Sequence, residues 1–155
     1  MEKEKIFELA QLLLPAFLER YKNELGDRKG IYLALKEKIS SSPREMSGKL
    51  IGFIPHDKIN EKMRYAFEKI DRLERRRIAG YNEVTSFESE NATAGQFGGS
   101  ILTNNYFMSG SGFPPHLDQK FITTLSLLVD EINYEQAKII ELVSAEQCKK
   151  WQLAA

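Results

Sequence analysis

The sequence has little of several residue types on which common classes of protein depend. Its 155 residues include one cysteine, Cys148, and only two histidines. A single cysteine forms no intramolecular disulfide and no multi-cysteine zinc or iron–sulfur site, so disulfide-stapled domains and cysteine-clustered metal domains are excluded. A reducing compartment suits such a chain, and we expect a cytoplasmic localisation.

An excess of charge of one sign is also lacking. The 22 Lys and Arg balance the 22 Asp and Glu, whereas nucleic-acid-binding domains usually carry a basic excess. We therefore expect no nucleic acid as partner. No apolar run approaches the roughly 20 residues that span a bilayer, and the stretch 9–18 ends at Glu19 and Arg20 without the cleavage site of a signal peptide. A membrane partner is not expected either.

What is present is typical of a globular protein. Hydrophobic residues make up 42% of the chain and charged residues 28%, and one domain per roughly 100–200 residues predicts a single domain over 1–155. The apolar spacing of three and four predicts an amphipathic helix over 1–26. Pro15 lies inside this pattern and removes one backbone donor, so we expect a kink or a restart of the helix there.

Two strands and a second helix follow. Apolar residues alternate from Ile31 to Leu35, and a short apolar run occupies 50–54, which predicts a strand pair joined by a loop over 40–48. Asp57 precedes an amphipathic helix with the three-and-four spacing. We expect its carboxylate to accept hydrogen bonds from the free amides at the helix start.

The middle of the chain has weaker strand signals. The stretch 84–87 predicts a further strand, and 100–109 predicts a hairpin whose turn is Asn104-Asn105. Two-residue hairpin turns favour residues that tolerate a positive φ, as asparagine does. With the first strand pair, the sheet should have about five strands.

Two helices close the predicted fold. Pro114 and Pro115 suit the first turn of a third helix, and Asn133 with Gln136 resembles a capping box that opens a final helix over 134–155. Strands joined by hairpin-style connections and segregated from the helices indicate an α+β fold, in which helices cover an antiparallel sheet.

The histidines are the first candidates for chemistry. His56 and His116 each stand beside a proline, just before or at a predicted helix start, with Asp57 and Asp118 close by. A neutral imidazole serves as a general base or as a metal ligand. The alternative is that both are ordinary loop residues near helix starts.

Glycine and serine mark a second candidate region. The segment 109–112 lacks the full GxSxG pattern of a nucleophile turn, and Gly98-Gly99 is too short for a dinucleotide fingerprint, so neither catalysis nor nucleotide binding is predicted. Glycines do permit close backbone approach, and helix-start amides hold carboxylate or phosphate groups. The candidate ligand-binding residues are Gly98, Gly99, Ser109, Ser111, Gly112, His116 and Asp118.

Charged side chains near the second helix are interpreted as surface features. Arg72 and the run 75–77 have Asp71 and Glu74 between them, which favours a solvated helix end over a phosphate site. If their stretch is a strand, Glu88 and Glu90 share a face, an arrangement that suits a cation site. We interpret them as ordinary surface side chains rather than as such a site.

One constellation points to a family. Ser111-Gly112 is followed, after five intervening residues, by Asp118 in the opening turn of a predicted helix, and Gly98-Gly99 precedes the hairpin. Upstream, Ala66 and Lys69 form an Ala-x-x-Lys pattern. In these features, over about residues 30–132, the chain resembles the GlcG/HbpS-like family, also described as haem-degrading or haem-binding-like and related to the C-terminal domain of PduO-type proteins.

The resemblance implies a profilin-like antiparallel sheet flanked by helices, assembly into homo-oligomers, and a small ligand such as haem, a corrinoid-related molecule or a metabolite. It transfers no catalytic residue. Our leading hypothesis is a non-catalytic, self-associating module that binds a small molecule. Haem is the candidate cofactor, and His116 or His56 is the candidate metal ligand.

Two other classes of function stay open. One is an enzyme, or an enzyme-accessory domain, that acts on a small carboxylated metabolite with His116 as acid or base. The other is a structural or protein-interaction domain that uses the first or the last helix. In each case we expect an N-terminal helix over 1–26, a core over 30–132 and a C-terminal helix over 134–155.

Overall fold

The computed structural model of the chain describes residues 1–38 and 46–154, with side chains up to residue 145. The helices are α1 (Lys3–Arg20), α2 (Lys22–Leu25), α3 (Ile59–Ile78), α4 (Pro115–Leu128) and α5 (Tyr134–Ala154), and the strands are β1 (Lys29–Glu37), β2 (Ser47–Phe53), β3 (Ser100–Leu102) and β4 (Tyr106–Ser111). Short 3-10 turns occupy His56–Lys58, Ser86–Ser89 and Ala92–Ala94. Most of the predicted 40–48 loop lies outside the described residues, and its last two residues belong to β2.

The sheet has the strand order β2-β1-β4-β3, and every neighbouring pair is antiparallel. This confirms the α+β class and the antiparallel sheet. Strand β1 pairs with β2 on one side and with β4 on the other. Its Tyr32 stands opposite Leu50 of β2 and Ser111 of β4. The described part of the chain forms a four-stranded sheet, one strand fewer than the sequence predicts.

The missing strand is the one predicted over 84–87. Thr85 forms only an isolated bridge with Ile101, and the chain then enters the 3-10 turn. The reason is local, because the Glu88 carboxylate accepts from the Val84 amide at 2.7 Å and from the Thr85 amide at 3.2 Å. The Thr85 hydroxyl in turn accepts from the Phe87 amide. Amides that would extend a strand ladder are thus bonded to side chains in a capping box.

Helices cover both faces of the sheet. The side chains of Ile31, Leu33 and Leu35 pack with α1 and α4 in the larger hydrophobic cluster, which also includes residues of α5. Ala34 and Phe107 pack on the opposite face, against α3. The alternation read from the sequence is therefore confirmed, and helices cover both faces of β1.

The first helix bears on the prediction for Pro15, which is a kink or a restart. It runs unbroken through Pro15 to Arg20, so no restart occurs at the proline. Pro15 is exposed, and the carbonyl four residues before it, that of Gln11, lies on the same exposed side, where water is able to replace the lost donor. A single turn, α2, then ends at Gly26, whose φ of 63° suits glycine.

Three helix starts are predicted from particular residues, and two are confirmed. Pro115 is the first residue of α4 and Pro114 is its N-cap. The Asn133 amide donates to the Gln136 side chain at 2.7 Å, and the Gln136 amide donates to the Asn133 side chain at 2.8 Å, which is a capping box. The expected role of Asp57 is wrong. The 3-10 turn His56–Lys58, which contains Asp57, leads into α3. No side chain caps the start of this turn or the start of α3.

The hairpin between β3 and β4 is confirmed, but its turn is stabilised differently from the expectation. Asn104 and Asn105 do connect the strands, yet the only described non-glycine residue with a positive φ is Asp130. Glu131, almost fully buried, holds the turn instead. Its carboxylate accepts from the Asn105 amide at 2.9 Å, the Asn105 side chain at 2.8 Å and the Thr103 hydroxyl at 2.8 Å.

Within the described residues, none of the helices has both the length and the apolar character needed to cross a membrane.

Candidate functional site

A buried ion pair lies where α3 meets the end of β4 and the start of α4. Lys69 of α3 and Asp118 of α4 each expose only 2% of their side chain, and the Lys69 Nζ is 3.3 Å from the Asp118 Oδ2. The same Nζ donates to the Gly110 carbonyl oxygen at 2.7 Å. The other carboxylate oxygen of Asp118 accepts from the Phe113 amide at 2.8 Å. The pair thus joins two helices, one strand and the loop that follows the strand.

Burial changes the proton affinity of both groups. It raises the pKa of the Asp118 carboxyl to about 6, although the Lys69 ammonium and the Phe113 amide act in the opposite direction. Burial also lowers the pKa of Lys69, against the attraction of the Asp118 carboxylate. Desolvation disfavours the charged form of each residue, so the loss of water outweighs the mutual attraction here. Groups of this kind occur at functional sites and in structural networks alike.

The position just before β3, Gly99, requires a glycine. Its φ is 120°, and a Cβ there would lie 2.8 Å from the Lys69 Nζ and 3.1 Å from both the Asp118 Cβ and the Gly110 carbonyl oxygen. A side chain at this position would therefore push into the ion pair. Gly98 beside it packs against the Phe87 ring, and its amide donates to Glu90 at 3.0 Å.

The predicted residues of β4 also lie near this pair. Ser111 is the last residue of β4 and is buried. Ser109 stands opposite Ser100 in the hairpin, and both hydroxyls are buried without a hydrogen-bond partner in the described structure. Gly112 follows the strand, and a Cβ there would overlap the backbone of Gly30. Six of the seven predicted ligand-binding residues therefore cluster around the ion pair.

His116 is the seventh, and it lies apart from the pair. Its side chain is 56% exposed, and its Nε2 is 3.0 Å from the Glu24 Oε2 at the end of α2. His56 is exposed in the 3-10 turn before α3. No group of three or more His, Cys, Asp or Glu positioned for a metal ion occurs among the described residues.

The interpretation of Arg72 as a solvated residue is wrong. Its side chain is buried, forms an ion pair with Glu68, and donates to the backbone carbonyl oxygens of Ser86 and Phe97. Arg72 therefore fixes the segment between α3 and β3. Glu90 has a related role, since it accepts from the Gly98 amide.

An open cleft of about 410 Å³ lies next to the ion pair. We call it the basic cleft, and its walls are formed by Asp27, Arg28, Lys29, Gly30, Phe53, Ile54, Pro55, Lys58, Lys62 and Gly112. These residues come from the start of β1, the end of β2, the segment leading into α3, the first turn of α3 and the loop after β4. The volume falls within the roughly 300–1,000 Å³ of ordinary small-ligand sites.

Four basic residues and one acidic residue line this cleft. Arg28, Lys29 and Lys58 are exposed, whereas Lys62 is half-buried and lies 3.7 Å from the Glu61 carboxylate. Asp27 supplies the opposing charge. The cleft is thus locally cationic in a chain whose formal charge is zero.

The ion pair supports one wall of the basic cleft. Gly112 lines the cleft, and the next residue, Phe113, donates its amide to Asp118. Lys62 is also close enough to Asp118 to lower its pKa. Lys69 and Asp118 do not line the cleft themselves, so they position its wall and have no direct contact with its contents.

The comparisons with known proteins add no relative: no family model, curated protein or solved structure matches the chain. The site is therefore defined by its own geometry. Sequence reasoning found Gly112 and Asp118 but missed the basic side chains, which are spread over 28–62 with no local pattern.

Proposed function

We propose that this protein is a small-molecule-binding module whose ligand is an anion held in the basic cleft. The observation that carries the proposal is the convergence of Arg28, Lys29, Lys58 and Lys62 on one open cleft of about 410 Å³. Cationic side chains favour carboxylate and phosphate groups through charge-assisted hydrogen bonds. A small metabolite with one or two such groups fits both the charge and the size.

The rigid wall at Gly112 supports the same proposal. Gly30 and Gly112 line the cleft with their backbones in close contact, since a Cβ on Gly112 would lie 2.4 Å from the Gly30 carbonyl oxygen. The Lys69–Asp118 pair holds this wall from behind. Pre-organised sites of this kind lose less free energy to ordering when a ligand binds. The GlcG/HbpS-like resemblance and its profilin-like sheet belong to the proposal as well, since the family also binds small ligands.

Haem is one of the ligands that this proposal covers, because its propionate groups are anionic. The histidines do not fit an axial role in the basic cleft. His56 does not line it, and His116 lies in a different pocket with its Nε2 beside Glu24. Haemin is accordingly a comparison probe in the experiment below, and a non-haem anion is the favoured ligand.

Self-association through the last helix is part of the proposal. Ala137 and Ile140 of α5 are buried in the core, whereas Ile139 and Leu142 on its other side are exposed. Residues three apart on a helix are neighbours, so these two form an apolar pair open to solvent. A second copy of the chain is the proposed occupant.

The proposal is tested by thermal melting and calorimetry with inorganic phosphate, succinate and haemin. An anion present at about 100 times its Kd stabilises the fold by about 2.7 kcal/mol, which raises Tm by about 5–10 °C for a chain of this size. Sodium chloride at matched ionic strength separates specific binding from general screening.

Matched charge variants locate the binding. In Lys58→Gln with Lys62→Gln, the cleft loses two cations, and affinity should fall at least tenfold, since each hydrogen bond to a charged group contributes about 1.5–3 kcal/mol. Lys5→Gln with Lys138→Gln changes the net charge equally at exposed positions outside the cleft and should bind as the wild type does. Equal affinity in the two double variants would rule the cleft out.

A further inference from the structure

The buried ion pair and the basic cleft are linked through α3 and through the loop after β4. Lys69 belongs to the pair and Lys62 lines the cleft, and their spacing of two helical turns, about 10 Å, places them on one face of α3. In the loop, Gly112 lines the cleft and the Phe113 amide donates to the Asp118 carboxylate at 2.8 Å. The charge of the pair therefore acts on the cleft over a short distance.

The net charge of the pair changes close to neutral pH. Burial raises the pKa of the Asp118 carboxyl to about 6, whereas an ordinary aspartate titrates near pH 4. Lys69 and Asp118 together hold one proton less at neutral pH than in mildly acidic solution, and the pair is then neutral. Uptake of the proton gives the pair a net positive charge, whichever of the two residues holds it.

The charges of α3 that act on the pair are of both signs. Lys69 and Lys62 favour the ionised form of Asp118 and so lower its pKa. Glu68 and Arg72 act in opposite directions on the pKa of Lys69. Of these groups, Lys62 is the one that also lines the cleft, so the same ammonium group acts on Asp118 and on a ligand.

The other segments around Asp118 contribute mainly backbone. Gly99 before β3 and the Gly110 carbonyl of β4 are its neighbours there. On α4 itself, His116 and Lys120 are exposed, and each lies beside a glutamate carboxylate at the surface. The buried charge that changes with pH beside the cleft is thus that of Asp118.

We propose that anion binding in the basic cleft is coupled to protonation of Asp118, so that the cleft holds its ligand more tightly in mildly acidic than in neutral solution. An anion in the cleft is favoured by the positive charge that the pair gains with the proton, and by reciprocity the anion favours uptake of the proton. The inference rests on the proposed function, because it needs an anion in the cleft.

Sulfate is a suitable probe, because it remains a dianion over the whole pH range of the experiment. Calorimetry at about pH 5 and about pH 8, at constant ionic strength, gives the two affinities. The wild type should bind sulfate about fourfold more tightly at the lower pH, the effect of one unit charge about 10 Å away in a medium of intermediate dielectric constant. Lys58→Gln with Lys62→Gln should weaken binding at both pH values and so confirm the location.

Asp118→Asn separates the coupling from a purely structural role of the pair. Asparagine keeps an acceptor for the Phe113 amide but carries no charge, so the variant imitates the protonated state. It should bind sulfate at about pH 8 as tightly as the wild type does at about pH 5. A mere loss of support for the cleft wall would weaken binding instead, so the direction of the change distinguishes the two roles.

The histidines need a control of their own, since histidine also titrates near neutral pH. The chain has only His56 and His116, and His56→Gln with His116→Gln removes both. This double variant should keep the pH dependence. Calorimetry at about pH 6 in buffers of different ionisation enthalpy should show that it takes up part of a proton with each sulfate. That measurement leaves Asp118 intact, so it decides the question even if Asp118→Asn does not fold.

The outcomes distinguish this inference from the proposed function. If sulfate binds equally well at both pH values, the coupling is wrong and the anion site stands. If the pH dependence and the proton uptake disappear with the two histidines, they belong to the histidines and the role of Asp118 is wrong. If sulfate binds at neither pH, the cleft is not an anion site and both proposals fail.

Discussion

At the scale of single residues, the Lys69–Asp118 pair combines two positions that the sequence shows only separately. The sequence identifies Asp118 by its spacing from Ser111-Gly112, and Lys69 by its place in a helix. Their contact spans 49 positions of the chain, and no local pattern encodes a contact of that range. The structure places Asp118 in the first turn of α4 and in a buried ion pair, and its carboxylate accepts from the Phe113 amide.

The titration of Asp118 gives a prediction of pH dependence. Its pKa is about 6 in the fold against an ordinary value of 3.8, so the folded state binds the proton more strongly than the unfolded chain. The resulting stabilisation is full below about pH 4 and is lost as the pH rises through about 6, by about 3 kcal/mol. Lys69 acts in the opposite direction at higher pH, because its lowered pKa makes stability rise with pH towards 10.5.

Urea denaturation of the wild type and Asp118→Asn between about pH 4 and pH 7 checks this. Asparagine keeps an acceptor for the Phe113 amide and does not titrate. The free energy of unfolding of the wild type should therefore fall relative to that of the variant as the pH rises. A constant difference between the two proteins over this range would contradict the assignment.

Gly99 leads to a second prediction at the residue scale. Gly99→Ala places a Cβ at 2.8 Å from the Lys69 Nζ on a backbone with φ 120°. Gly80→Ala is its matched control, since Gly80 has a φ of 100° and would meet nothing within 4 Å. Both substitutions strain the backbone, and the crowding of the ion pair should cost Gly99→Ala about 1–3 kcal/mol more. Equal melting temperatures for the two variants would show that the ion pair yields without cost.

At the scale of elements, the sequence predicts periodicity well and turn chemistry less well. The alternation of β1 and the capping box of α5 depend on neighbouring residues, and both are confirmed. The hairpin turn depends on Glu131, which reaches it from 26 positions away. The strand expected over 84–87 is missing because Glu88 takes up the amides that a ladder needs. The Glu131 hydrogen bonds are tertiary and have no local signal, whereas Thr85 and Glu88 stand at the three-residue spacing of a capping box, which is a local signal.

The prediction at the scale of elements concerns the Glu131 side chain, which holds the turn between β3 and β4. In Glu131→Gln one carboxylate oxygen becomes an amide donor, so the side chain no longer accepts all three hydrogen bonds, from the Thr103 hydroxyl and from the backbone amide and side chain of Asn105. The free energy of unfolding should fall by about 1–3 kcal/mol, the cost of buried polar groups left without partners. Glu135→Gln on exposed α5 surface should change it by less than about 0.5 kcal/mol. Chemical denaturation of both variants measures the difference, and a matching loss in Glu135→Gln would assign the effect to net charge.

At the scale of the whole molecule, the balanced composition conceals an uneven distribution of charge. The formal charge is zero, yet the fold brings the start of β1, the segment leading into α3 and the loop after β4 together in one cationic cleft. The sequence predicts the wall at Gly112 and no more of this site, because the cations come from segments that only the sheet order places side by side.

Self-association is the prediction for the whole molecule. Ile139→Glu with Leu142→Glu places two charges on the exposed face of α5 and should convert the proposed oligomer into a monomer, since charges are unfavourable at the core of an interface. Leu12→Glu on α1 is the control, because Leu12 is also exposed but lies on a different helix. Sedimentation equilibrium measures the mass, and thermal melting checks that each variant folds. If the wild-type protein is monomeric at every concentration, the exposed pair on α5 is ordinary surface and the proposal is wrong. If the oligomer is lost only in Leu12→Glu, the interface lies on α1 instead.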